Sequence, residues 1–490
     1  MHRYYNLPKI IRRFSFESKM ESACHLSAHF INGAGVINSP DVLQKMVLPW
    51  EVEAFVMLSI YHGEWDGKKQ VLEDKTLRII LNSIRSSAHF SDLIVDENSS
   101  IRYLAAILNI QVSYQTIDIF RRLFRYSFYF SFSNETIDMN KEFCEKYGCN
   151  YSEIIIAIYI LWKFFSYHNS SKAELFNLIY PSLYSRFNKS LDALTISREK
   201  YKEYIDKYSI NHDELFTNCL CPSTQFPIIV NDEKKFIPLP HLLVDAGTSS
   251  LMFRLTEGNN RLRSTIGKNV LEEYLIYLLK HSKQFDSYSR EVEYRVRKQL
   301  IRSPDAMAFS HDKCILFDRK SFAPQIGIRY MSASAYQNAN DRLTQNCIEI
   351  IKRCTEFSYY NPFPKKFLKN NLYCCIVVEH SSFIYLKDVY LGVSKQMGYE
   401  VGDDDYVWMC QHVIICSIED IELLLMYENS IFDAIAKRNT GSIYDAWFVD
   451  RSEYQYDLAD PYLTFQKEVE ENAHKELQTI INKKDYRGEK

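Results

Sequence analysis

The stretch "RSPDAMAFSHDKCILFDRKSF", residues 302–322, decides how this chain folds. "DAMAFS" and "KCILFDRKS" are apolar runs of strand length on either side of the polar "HDK", and together they read as a hairpin. Side chains alternate along a strand, so residues two apart share a face. Asp318 and Lys320 therefore point the same way, in line with Leu316 and Cys314, while Ile315 and Phe317 pack opposite and Arg319 faces away. Pro304 sets Asp305 at the start of the first strand, and a turn near Asp312 brings Asp305 across from Asp318. Two carboxylates and an ammonium at one point suit a divalent cation and a phosphate. Magnesium takes one or two carboxylates and keeps waters, and a compact cation stabilises developing charge. The bland alternative is a structural hairpin whose Asp–Lys pair is an exposed one, worth under about 1 kcal/mol.

The segment before the hairpin, "GKNVLEEYLIYLLKHSKQ", has helical periodicity. Glu272 has Leu275, Ile276 and Leu279 at i+3, i+4 and i+7, which puts it on the sheet-facing stripe. Glu273 has Tyr277 and Lys280 at i+4 and i+7 and faces solvent. A carboxylate on a buried face is costly unless paired or bound to metal, so Glu272 is expected at the site. "REVEYRV" reads as a strand, "SASAYQNANDRLTQNCIEIIKRC" as a long helix and "LYCCIVVEH" as a buried strand. "KDVYLGVSKQMG" then reads as a helix, "WMCQHVIICS" as a strand, and "SIEDIELLLMYE" as a helix capped by Ser417 with Asp420. That order implies a mixed sheet flanked by helices.

Glu272 on a helix, then "SPD" with Asp305, then Asp318-Arg319-Lys320, in this order of elements, resembles the PD-(D/E)XK nuclease superfamily. The resemblance covers about residues 262–430. It implies a restriction-endonuclease-like fold and hydrolysis of phosphodiester bonds, usually in DNA, with Mg²⁺ as cofactor and Mn²⁺ able to replace it. Carried over to this chain, Asp305, Asp318 and Glu272 would be the metal ligands, and Lys320 would join them as the catalytic ammonium. The second acid is Asp where Glu is commoner, which the pattern allows. Many members carry a Gln on the following helix; Gln345 fits, and Gln337 and Asn338 compete with it.

Charge is unevenly distributed. The whole chain carries −3. Residues 290–353 hold 12 Lys/Arg against 7 Asp/Glu, and Arg295, Arg297, Lys298, Arg302, Arg329 and Arg342 are candidates for a groove that follows a phosphate backbone. Residues 400–460 reverse the sign, with 14 Asp/Glu against 3 Lys/Arg, and "GDDDY" at 402–406 reads as a solvated loop rather than a cation site. Trp447 and the tyrosines near it suit a protein interface.

Four regions are expected. Residues 1–220 form a helical domain, 221–261 a hairpin–helix connector, 262–430 the nuclease-like domain, and 431–490 an acidic, aromatic extension. The fold class is α+β or α/β. The twelve cysteines include no CxxC pair, no Gly-rich phosphate loop occurs, and the N-terminal stretch lacks the continuous apolar core of a signal peptide. These features point to a reduced, cytoplasmic chain with no membrane segment. The expected function is a metal-dependent nuclease acting on DNA, with RNA left open. By analogy of domain plan it would serve bacterial defence against phage or foreign DNA. The alternative is a non-catalytic nucleic-acid- or partner-binding protein on the same fold. Self-association or a partner subunit would use the helical domain or the acidic C-terminal region.

Overall fold

The computed structural model describes residues 7–31, 47–63, 70–87, 95–111, 118–167, 172–208, 216, 218–296, 298–321, 326–380, 384–427, 430–437 and 459–485. The chain is mixed helix and sheet and divides into two compact units. The first comprises residues 1–92, 113–258 and 460–490, the second 93–112 and 259–459. The stretch around Trp447 lies outside the described residues.

The first unit is mainly helical. Helices Pro49–His62, Ile119–Ser131 and Tyr151–Tyr167 lie in the stretch expected to be helical. A small sheet pairs Ile228–Asn231 with Lys234–Phe236 as a hairpin and adds Thr195–Ser197 in parallel. The helical part of the connector is broken: short helical turns at Pro240–Leu242 and Leu243–Ala246 precede Ser249–Thr256. Tyr462–Asp485, placed by sequence in a C-terminal extension, is a helix of this unit. Its Tyr462 packs edge-on to Phe124, and Arg186 donates to Glu476.

The second unit carries a five-stranded sheet. Its elements are α1 (Glu97–Gln111), α2 (Asn260–Ile266), α3 (Glu272–His281), β1 (Ser287–Arg290), β2 (Glu293–Val296), β3 (Gln299–Arg302), β4 (Ala306–Ser310) and β5 (Lys313–Lys320). Then follow α4 (Ala333–Tyr360), β6 (Leu372–Val378), α5 (Leu386–Met397), α6 (Asp404–His412), β7 (Val413–Ser417), α7 (Ile418–Met426) and α8 (Ile431–Lys437). The strand order is β7-β6-β5-β4-β1. The pairs β7/β6 and β6/β5 are parallel; β5/β4 and β4/β1 are antiparallel. Strand β5 lies at the centre, and residues 314–319 are buried, which explains why both of its faces are apolar up to Asp318. On one face Cys314, Leu316, Cys374 and Ile376 share a core with Cys347, Ile351 and Cys354 of α4. Facing the other side, α3 is tied to α7 by Tyr274, which donates to Glu422 at 2.6 Å.

Four expectations change here. "REVEYRV" is not one strand. Glu291 donates its N–H to the Asp305 carbonyl, and Val292 and Ser303 bond to each other, so the chain leaves the sheet. It then makes β2 and β3, a separate two-stranded hairpin. In "WMCQHVIICS" the first half is helical, because Asp403 caps α6 by accepting from the Tyr406 N–H at 2.6 Å, and the strand begins only at Val413. In "GDDDY", Asp405 pairs with Lys369 at 2.5 Å. Helix Glu97–Gln111, read with the N-terminal helices, belongs to the second unit. The Ser417–Asp420 capping box forms as expected.

Arg319 is the least surface-like arginine in the sheet. Its side chain is fully buried, donating to the Val377 carbonyl at 3.2 Å and pairing with Glu379. Removing one partner of such a pair leaves an uncompensated buried charge, at a cost of about 3–5 kcal/mol. Arg319→Met should therefore lower the unfolding midpoint strongly. Thermal and denaturant melts of Arg319→Met, Glu379→Met and the double variant check this: the double variant should regain part of the loss.

Candidate functional site

The β4–β5 register sets Ala306 opposite Phe317, so the next pair outward is Asp305 opposite Asp318. Asp305 is fixed by the Arg319 N–H, which donates to its Oδ2 at 2.6 Å. The Asp318 side chain is 1 % exposed. Lys320 Nζ lies 2.9 Å from Asp318 Oδ2, but off the direction of a hydrogen bond, and that oxygen has no hydrogen-bond partner. Alternation along β5 is as the sequence implies: Asp318 and Lys320 share a face, and Arg319 takes the other.

Glu272 approaches from α3. A π-helical turn, Gly267–Leu271, runs directly into the helix, and such turns are frequent at functional sites. Gly267 permits close approach to the end of β5, since a Cβ there would lie 3.2 Å from Ser321 Oγ. Burial, followed by the charges of Asp305, Glu291 and Asp318, raises the Glu272 carboxyl to about 8, against a smaller opposing pull from Lys268. Burial and the neighbouring Asp318 likewise hold Asp305 well above the usual carboxylate range, against the Arg319 N–H and Lys320. Glu272 feels Asp305 and Asp318, and Asp305 feels Asp318, so the three sit within electrostatic reach. Glu273 is turned outward, where Arg290 Nη2 donates to it at 2.8 Å.

Of the nucleic-acid candidates, Arg297 lies outside the described residues, and the others fare differently. Arg302 lies close by, but it is held by Glu293 at 3.2 Å and Glu291 at 3.7 Å. Gln345 donates to Gln396 of α5 at 2.7 Å. Arg342 is exposed on α4, and Arg329 is half-buried with no hydrogen-bond partner at Nε. The α4 residue that does reach the acids is Arg353, about 12 Å further along the helix from Gln345. Its Nη1 is 3.8 Å from Asp318 Oδ1. Sequence reasoning missed Arg353, because only packing of α4 on β5 selects that turn of a long helix. It also missed Glu291, which the fold brings beside Asp305 from twelve residues before the "SPD" segment, and Glu379, the buried partner of Arg319.

Among the described residues, no three His, Cys, Asp or Glu side chains stand as a ready-formed metal cage. Magnesium does not require one, since one or two carboxylates with waters suffice. Asp305 and Asp318 supply two hard oxygen donor groups, and the Asp318 Oδ2 without a hydrogen bond fits such an ion. A second constellation, in the first unit, does not form a site. Ser27 Oγ is 2.6 Å from His241 Nδ1, and His241 Nε2 is 3.2 Å from Glu53, but Ser27 is 0 % exposed and no substrate reaches it.

No family model, curated protein or solved structure matches this chain.

The raised carboxyls make a signed prediction. The folded unit binds these protons more tightly than the unfolded chain, whose carboxylates titrate near about 4. Their stabilising contribution is thus complete below the unfolded value and is lost as pH rises towards about 8. The metal-free melting temperature should fall over that window, and fall less in Glu272→Gln. A divalent cation competes with these protons, so Mg²⁺ should raise the melting temperature more at about pH 8 than at about pH 5.5. Melts with Mg²⁺ or EDTA across the range check both; no Mg²⁺ effect at either pH removes the ion from this site.

Proposed function

We propose that the second unit is a divalent-cation-dependent nuclease of PD-(D/E)XK type that hydrolyses phosphodiester bonds in DNA. The observation that carries this reading is Asp305 directly across the strand pair from Asp318, with the Lys320 ammonium 2.9 Å from the latter. Glu272 adds a third acid nearby, and a mixed sheet flanked by helices supports the reading.

Asp305 and Asp318 would hold Mg²⁺ or Mn²⁺; Glu272, expected as a third ligand, does not group with them among the described residues but stands near enough to feel their charge. When bound, the ion would offset phosphate charge and make a coordinated water more acidic. The chain's own groups do the rest. In the hydrolysis, a water oxygen forms a bond to phosphorus as the bond to one sugar oxygen breaks; the water proton passes to a base and the leaving oxygen is protonated. Lys320, 21 % exposed, is open to solvent on the Asp318 face and can orient the water and meet the charge growing on the phosphoryl oxygens. The Arg319 N–H holds Asp305 in place from the neighbouring strand.

Incubating the full chain with plasmid, linear DNA and RNA in Mg²⁺, Mn²⁺ or EDTA tests the reading. Product should require the metal. A chain that binds DNA equally in EDTA and makes no product in either metal is instead a binding module. Asp318→Asn should abolish cleavage. Lys320→Met should slow single-turnover cleavage by about 10²–10³-fold, the usual loss for one preorganised stabiliser. Glu272→Gln should slow it strongly and Glu273→Gln should not. Equal effects of the two Glu variants would place Glu272 outside the reacting centre.

A further inference from the structure

The sheet of the second unit does not need the β2–β3 hairpin. These strands pair only with each other, leaving the sheet at Glu291 and returning at Asp305, where the Glu291 N–H meets the Asp305 carbonyl at 3.0 Å. An isolated two-stranded hairpin is marginal in water. This one is pinned along one face. Tyr294 is 5 % exposed and stands edge-on to Phe357 of α4, and Val296 and Ile301 pack half-buried against the same core. Tyr294 also lies within electrostatic reach of Arg353, so the pinned face and the acid site share one helix.

The other face points outward. The register pairs Glu293 with Arg302 and Arg295 with Leu300, and all four are exposed. Glu293 and Arg302 neutralise each other at 3.2 Å. That leaves Arg295, the turn residue Lys298 and Leu300, 60 % exposed, as the outward surface. A ribbon presenting cations around an exposed leucine, joined at its base to clustered acids, has the chemistry of a polyanion contact. Its width decides which polyanion. The B-form major groove, about 12 Å wide, admits a two-stranded ribbon. The deep, narrow major groove of A-form RNA does not.

We propose that the β2–β3 hairpin is a clamp for duplex DNA. It enters the major groove beside the bond presented to Asp305 and Asp318, with Arg295 and Lys298 on phosphates and Leu300 against the groove wall. The proposal rests on the nuclease reading for its position next to the reacting bond, but not for the binding itself.

The test is equilibrium binding of the full chain to a labelled DNA duplex in EDTA, over a salt series, beside an RNA duplex of equal length. Each phosphate contact contributes about 0.9 to the slope of log affinity against log salt, so Arg295→Ala/Lys298→Ala should flatten the DNA slope by about 1.8. Its melting temperature should match wild type, and Arg295→Lys/Lys298→Arg should retain the slope. RNA binding should be weaker and indifferent to the double substitution. An unchanged DNA slope in the folded double variant overturns the clamp, as does an equal loss on RNA. The two readings separate in Mg²⁺. Wild-type cleavage with an unchanged slope in the double variant overturns the clamp alone. Hairpin-dependent binding with no cleavage in Mg²⁺ or Mn²⁺ overturns the nuclease reading and leaves the clamp.

Discussion

The antiparallel register that sets Ala306 opposite Phe317 brings two carboxylates to facing positions at the end of the β4–β5 pair. Like charges directly opposite on a sheet are destabilising, and here they are also shielded from water. The unit supports the arrangement with two kinds of partner. The Arg319 N–H fixes Asp305, and Lys320 and Arg353 flank Asp318. The remaining imbalance appears as raised proton affinity at Glu272 and Asp305. A cluster of acids that prefers protons to solvent is one that a small divalent ion relieves, and this joins the energetics of the fold to the chemistry proposed for it.

Three consecutive residues of β5 divide the labour by alternation. Asp318 and Lys320 face the site, and Arg319 between them turns into the other layer to pair with Glu379. The same arginine serves the site through its backbone N–H, which points across to Asp305 within the sheet, while its side chain enters the opposite layer. A variant at Arg319 is consequently a test of the fold before it is a test of catalysis.

The hairpin β2–β3 shows how a surface can be attached to such a site without disturbing it. It leaves and re-enters the sheet at Glu291 and Asp305, neighbours across β1 and β4, so the sheet's pairing is not interrupted. One apolar face anchors it, and the opposite face stays available to a partner.

The sequence by itself determined the hairpin, the sharing of a face by Asp318 and Lys320, and the choice of Glu272 over Glu273. Each is a matter of local period, two along a strand and 3.6 around a helix, and local periods are written in neighbouring residues. Other features depend on contacts between segments far apart in the chain. Only the tertiary structure decided that Arg353 rather than Gln345 reaches Asp318, because the turn of a 28-residue helix that faces the acids is set by how it packs on β5. It alone broke "REVEYRV" in two, through bonds from Glu291 and Val292 to Asp305 and Ser303. And it alone matched Arg319 with Glu379, 60 residues away, because a buried charge finds its partner through the pairing of strands and not through spacing in sequence.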